Sequence, residues 1–181
     1  MSGSFSRQSL NRRYRHFSHD LASALSILCR SKTVSDFGAG IGLYVEYLRA
    51  TGCWAVGYDG TPGIDEITGG AVQFADLSLP VMLPITNAVI SIEVGEHIPP
   101  KFESVFLDNL CRHATELLIV SWATVNQPGR GHCNCQNFAT LAPKFAERGW
   151  IVDWSMTRPA RIMSGDPWDS KLLVMKPSRG V

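Results

Sequence analysis

The sequence predicts an α/β fold, a single three-layer sandwich with a seven-stranded, mostly parallel sheet between two layers of helices. Two observations carry that expectation. Short, continuously apolar runs such as "AVISI" and "LLIV" alternate with amphipathic stretches, the pattern of parallel strands buried on both faces. The chain has 181 residues, 45% hydrophobic and 18% charged, enough for one domain with its own core.

The elements follow in order. Ser18 or Asp20 caps a first helix whose apolar face is Leu21, Leu25 and Leu28. Thr33–Phe37 reads as a buried strand, and residues 42–51 as a helix turning Leu43, Tyr47 and Leu48 inward. "CWAVGYDG" is a second strand, stopped by Gly60 and Pro62, and "AVQFADLSLP" a third, ending at Asp76. "NAVISIEVGEHIPP" contains a fourth strand and a polar loop. Residues 101–110 are helical, with Phe102, Val105, Phe106 and Leu110 on one face. "ELLIVSWA" is a fifth strand, and residues 138–148 form a helix ended by Gly149. Two last strands, 150–155 and 172–176, are joined by "TRPARIMSGDPWDS", a loop by its Pro and Gly content.

Composition narrows the function classes. A net charge of +1 gives no global attraction to nucleic acid or membrane, and no apolar run approaches the ~20 residues of a membrane span. Five cysteines fit reduced thiols and a cytoplasmic setting. Residues 1–19 are a basic arm with Arg7, Arg12, Arg13 and Arg15, ahead of a domain over 20–181. The arm suits a solvated tail, an anionic contact or an organellar presequence.

In a doubly wound sheet the ligand lies over the carboxyl ends of the strands, so the residues that follow each strand carry the functional weight. "DFGAGIG" places Gly38, Gly40 and Gly42 after Asp36. A dinucleotide fingerprint would need glycine at Leu43, and no Lys-Ser or Lys-Thr follows for a P-loop. Asp36 would repel a pyrophosphate and favour a cationic tail. Asp59 ends the second strand, where a carboxylate accepts both hydroxyls of a ribose. Asp76, with Leu77, ends the third, where it meets an adenine. Taken singly, each aspartate also reads as a turn or cap. Together they describe S-adenosylmethionine, whose demethylated product is S-adenosylhomocysteine. On this reading Asp59→Ala removes ribose contacts and leaves the fold intact.

The segments "DFGAGIG", "GYDGTPG", "FADLSLP", "ISIEVGEHIP" and "SWATVNQPGRGHCN" are similar, in order, to small stand-alone methyltransferases of the class I SAM-dependent family. The resemblance spans residues 21–176. It implies a seven-stranded sheet with the C-terminal strand reversed. It also implies that Asp36, Gly38, Ala39, Gly40 and Gly42 line the methionine end. Asp59 and Gly60 then take the ribose, Asp76 and Leu77 the adenine, and Glu93 closes the pocket. The chain departs from many relatives at Asn87, where they carry an acid, and at the cysteines of "GHCNC".

Methyl transfer from a sulfonium asks the protein to position a nucleophile and, for a hydroxyl or amine, to remove its proton. The candidates are Glu96 and His97 after the fourth strand and His132 after the fifth, with Asn134 as a positioning residue. His97 also reads as a cap on its loop, His132 as a loop-ordering hydrogen bond, and Glu96 as a salt-bridge partner of Lys101 or an arginine. No metal is expected, because His132, Cys133 and Cys135 lack a fourth soft ligand. The acceptor is expected to be a small molecule, received by loops at 94–101, 122–137 and 156–170 with Trp122, Trp168, Arg130, Arg158 and Arg161. Nucleic acid is disfavoured by the absence of an N/D-P-P-Y/F motif, no membrane partner is expected, and the chain is read as a monomer or homodimer. Asn87, with the lack of an unequivocal catalytic base, keeps a non-catalytic SAM-binding subunit as one alternative, and the arginine arm keeps an RNA methyltransferase as another.

Overall fold

Unbroken apolar strands require burial on both faces, and the sheet supplies it. The computed structural model describes residues 17–165 and 171–178. The strands are β1 (Thr33–Phe37), β2 (Trp54–Asp59), β3 (Val72–Phe74), β4 (Thr86–Ile92), β5 (Ala114–Ser121), β6 (Trp150–Val152) and β7 (Leu173–Pro177). They alternate with helices α1 (His19–Leu28), α2 (Leu43–Ala50), α3 (Ile64–Ile67), α4 (Glu103–His113), α5 (Phe138–Ala146) and α6 (Trp154–Ser164). The arginines of the arm and Trp168 lie outside the described residues.

The strands form one seven-stranded sheet, in the order β3-β2-β1-β4-β5-β7-β6. All neighbours are parallel except β7, which runs antiparallel to both β5 and β6. Alternate residues of each strand serve opposite faces. Val89, Leu118, Val120 and Met175 join Phe106, Leu110, Leu141 and Phe145 of α4 and α5 on one side. Ala88, Ile90, Leu117, Ile119 and Val174 join Leu21 and Leu25 of α1, Val45 and Leu48 of α2, and Ala160 of α6 on the other. The expected three-layer sandwich with its reversed C-terminal strand is what the chain forms. No helix among the described residues is long and apolar enough to cross a membrane.

Three local expectations need correction. In α2 the buried residues are Val45 and Leu48; Leu43 and Tyr47 are only partly covered, because Gly42 starts the helix in a left-handed conformation and sets its face. β3 ends at Phe74, so Asp76 stands two residues beyond it, in a turn. The strand expected over 150–155 stops at Val152, and α6 begins at Trp154 and takes in residues 157–164 of the segment expected as a loop, with Pro159 in its interior.

Capping and burial outweigh the proline there. The Asp153 carboxylate accepts from the N–H groups of Ser155 and Met156. The Thr157 hydroxyl donates to the Val174 carbonyl and accepts from its N–H, both at 3.1 Å, which ties the helix to β7. Thr157, Ala160 and Ser164 are buried. The hydrogen bond that Pro159 cannot make is one loss against these.

Asp153 also pairs with Lys176 at 2.7 Å; with the Ser155 bonds, that holds its carboxyl at about 2 instead of 3.8. A lowered folded pKa stabilises above the ordinary value and is lost as pH falls through the folded one. Asp153→Ala is therefore expected to cost about 1–2 kcal/mol at pH 7. The gap from wild type in urea unfolding should narrow between pH 5 and pH 3, and a gap that stays constant would refute the role.

Candidate active site

The chain leaves β1 for β2 and β3 on one side, then crosses to β4 and β5 on the other. The switch point therefore lies between β1 and β4, where loops diverge and leave a crevice over the carboxyl ends. Asp36, the glycine turn, Glu93 and the polar loop after β4 all stand there.

The glycine turn is fastened to β2. The N–H groups of Gly38 and Ala39 both donate to the Tyr58 carbonyl, at 2.7 and 3.0 Å. The Gly40 N–H donates to Asp59 Oδ2 at 2.8 Å, while Asp59 Oδ1 accepts from the Thr61 N–H and hydroxyl at 2.9 and 2.7 Å. Asp59 is thus a strut of the turn, which corrects the expectation that its removal leaves the fold untouched. Gly38 has φ +91°, and a Cβ there would fall 2.3 Å from a Val94 methyl. Only glycine lets the turn and the β4 loop meet this closely.

Two carboxylates converge beside the turn. Asp36 is buried at the end of β1. Burial, with the Asp36 and Glu93 charges adding to it, pushes the Tyr44 hydroxyl up to about 12 against the opposing Ser18 N–H bond. Glu93 sits at φ +54°, an unusual conformation for a residue with a side chain. It is held there by Ser121, whose Oγ accepts from the Glu93 N–H and donates to its Oε1, and by Lys171 and Gln127 on Oε2.

Gly60 lies against the backbone of Ala75 and Asp76, so the ends of β2 and β3 meet. Asp76 Oδ1 accepts from the Ser78 N–H and hydroxyl. The Leu77 side chain is in the core, and its carbonyl takes a bond from Asn109 of α4. Asn109, Ser121, Gln127 and Lys171 support the crevice without any local pattern marking them; their partners come from distant elements.

The three candidates for chemistry come together. The carbonyl of Glu96 accepts from the N–H groups of both Cys133 and Asn134, at 2.9 and 3.0 Å, so the loop after β5 is clamped to the loop after β4. His132 Nε2 then lies 4.0 Å from Glu96 Oε1, and the His97 and His132 ring centroids are 5.0 Å apart. The His132 ring occupies the space a Cβ on Gly129 would need, with contacts down to 2.1 Å, so the "PGRGH" spacing is steric. Glu96 is fully buried, and neither oxygen accepts a hydrogen bond of ordinary geometry among the described residues. Burial first, then the Glu93 charge, pushes its carboxyl up to about 8; nearby backbone N–H groups and Lys171 only temper this.

The other expected contributors have partners of their own or lie at the surface. Asn134 donates to Glu103 and accepts from Gln136, in a network completed by Lys144. It organises the loop. Trp122 is buried and donates to the Asn134 carbonyl. Arg158 and Arg161 stand on α6 against Trp154. Arg130 is exposed, and so is Cys133, while Cys135 Sγ lies 3.6 Å from His132 Nδ1. Asn87 bonds Thr33 and Glu116 at the amino end of β4, across the sheet from the crevice, which makes it structural.

No family model matches the chain, and no curated protein does. Solved structures do. The sugar N-methyltransferase KedS8 from Streptoalloteichus sp ATCC 53650 superposes with TM-score 0.76 at 11% identity, over 97% of this chain and 94% of that one. The chain has the class I SAM-dependent methyltransferase fold. CalS10, an amino pentose methyltransferase from Micromonospora echinaspora solved with SAM bound, gives 0.71 at 13% identity, over 96% and 97%. Magnesium protoporphyrin IX methyltransferase (ChlM) from Synechocystis PCC 6803, with SAH bound, gives 0.70 at 15% identity, over 98% and 90%. Against this methyltransferase fold, the Glu96–His97–His132 group lies on the loops that follow β4 and β5.

A folded pKa raised above its ordinary value means that the native state holds a proton the unfolded chain has released. For Glu96 that contribution is full below about 4.5 and disappears as pH rises towards 8. Glu96→Gln should therefore match wild type near pH 5 and melt at a higher temperature at pH 8–9 in metal-free buffer. A melting-temperature difference that does not change with pH would count against a protonated, buried Glu96.

Proposed function

We propose that the chain transfers a methyl group from S-adenosylmethionine to a small-molecule acceptor. The observation that carries this reading is the ring of carboxylates around the glycine turn. Asp36 and Glu93 offer negative charge for the cationic methionine end, Asp59 with Gly60 a site for the ribose, and Asp76 with Leu77 one for the adenine. Two of the neighbours were solved with SAM or SAH and are named for an amino pentose and a porphyrin, which supports the cofactor and a small acceptor.

Glu96, His97 and His132 stand where an acceptor arriving over the carboxyl ends of β4 and β5 meets polar groups. The reaction is an in-line displacement: the nucleophile bonds to the methyl carbon as the carbon–sulfur bond breaks, leaving a neutral thioether. Proximity and orientation supply much of the rate, and these three groups lower the cost of losing the nucleophile's proton. Of the two grounds for the non-catalytic alternative, Asn87 stands at the opposite end of the sheet and bonds Thr33 and Glu116 there, which leaves the identity of the base as the other.

S-Adenosylmethionine or S-adenosylhomocysteine should raise the melting temperature, and NAD or ATP should do so much less. Asp59→Ala should weaken that shift and also lower the melting temperature of the free protein, because the Gly40 and Thr61 bonds go with it. In a screen of metabolite pools with methyl-labelled cofactor, His132→Ala should depress turnover by ~10²–10⁴-fold with cofactor affinity kept. Equal stabilisation by NAD, or an unchanged cofactor affinity in Asp59→Ala, would defeat the assignment.

A further inference from the structure

We propose that Glu96, His97 and His132 form a binding site for one divalent transition-metal cation, which receives an oxygen of the acceptor. The inference deepens the functional reading and rests on it only for the acceptor. One ligand atom from each residue lies within 4.8 Å of the other two. Roughly an ångström of inward side-chain rotation brings them around a cation held at about 2.1 Å.

The hydrogen bonds of the histidines set the tautomers a metal needs. His97 Nδ1 lies 3.2 Å from the Gly131 carbonyl, and His132 Nδ1 lies 3.2 Å from the Gln127 carbonyl. A carbonyl only accepts, so each Nδ1 carries the proton and each Nε2 presents its lone pair. A second ring nitrogen bound to a carbonyl is the usual support of a metal-ligating histidine. Both carbonyls belong to the loop clamped onto Glu96, so one backbone arrangement orients all three ligands.

Glu96 supplies the second, independent observation. Its carboxylate is fully buried, and neither oxygen accepts a hydrogen bond of ordinary geometry among the described residues. Such a group is costly to hold without a counter-charge, and a cation between it and two imidazoles removes that cost. Glu93 adds negative potential nearby. Two imidazoles and one carboxylate suit zinc, manganese, cobalt or iron(II), and three protein ligands leave a position open.

That open position selects the acceptor. A hydroxyl or enol oxygen ligating the cation releases its proton to solvent near neutral pH. The same oxygen then forms the new bond to the methyl carbon as the carbon–sulfur bond breaks, and the sulfonium becomes a thioether. No oxidant or reductant enters. The substrate class is an oxygen nucleophile, preferably with a neighbouring oxygen to share the cation.

The test uses the full chain, stripped with chelator and titrated with Co²⁺ by visible absorption, with Zn²⁺ in competition. One ion per chain is expected, with binding weakened more than about a hundredfold in Glu96→Gln, His97→Ala and His132→Ala. The double variant Cys133→Ser/Cys135→Ser should bind as wild type does. Near-UV circular dichroism confirms that each variant is folded, and Glu96→Gln keeps the shape of the residue it replaces. Absence of binding in the wild type, binding indifferent to all three ligand variants, or binding lost only with the cysteines would overturn the site. A buried carboxylate that merely keeps its proton gives the first of these results. The S-adenosylmethionine melting shift, read on stripped protein without acceptor, fails or holds independently and so tests the cofactor reading separately.

Discussion

One backbone carbonyl decides whether this crevice holds chemistry. The oxygen of Glu96 accepts two successive N–H groups from the loop after β5, and the approach of His132 to Glu96 and His97 depends on that pairing. Remove it, and His132 belongs to a surface loop remote from the carboxylate it faces. The clamp is reinforced by side chains that never approach the crevice. Glu103 of α4, Lys144 of α5, Gln136 and Asn134 form one polar network beneath the loop, and the buried Trp122 bonds its carbonyl. Such a network holds geometry because each member has several partners, and it is expensive to disturb for the same reason.

Charge is distributed around the crevice with similar economy. Glu93 is tied to β5 through Ser121 and to Lys171, two residues before the last described strand, so its carboxylate is partnered on both oxygens. Glu96 lies deeper and has no such ties. Two glutamates three residues apart thus differ in electrostatic character because one reaches hydroxyl and ammonium groups and the other is fully buried beside two imidazoles and under the charge of the first.

Much of this was legible in the sequence. Asp36, Asp59 and Asp76 announced themselves because each closes an apolar run, and strand ends in a parallel sheet converge on one edge. Glu96 and His97 were legible for the same reason. Their union with His132 was not, since it follows from backbone pairing between two loops and from the empty side-chain space at Gly129, neither of which has a periodicity. The helix α6 was missed because Pro159 and Gly165 outweighed the Asp153 cap and the spacing of Thr157, Ala160 and Ser164. Asp59 misled in a subtler way: a carboxylate at a strand end is read as facing the ligand, and here it also holds up the turn.

The position of β7 bears on how the protein is made. Among the described strands β7 comes latest in the chain, yet it is inserted between β5 and β6. Without residues 173–177 in place, β5 keeps an unpaired edge and β6 has no neighbour on which to dock. Lys171 arrives at the same moment, so the electrostatic setting of Glu93 is completed by the act that seals the sheet. A nascent chain stalled just short of this point carries an exposed strand edge of the kind that recruits chaperones or aggregates. Pairing of β7 thus closes the edge of β5, docks β6 and brings Lys171 to Glu93 in one stroke.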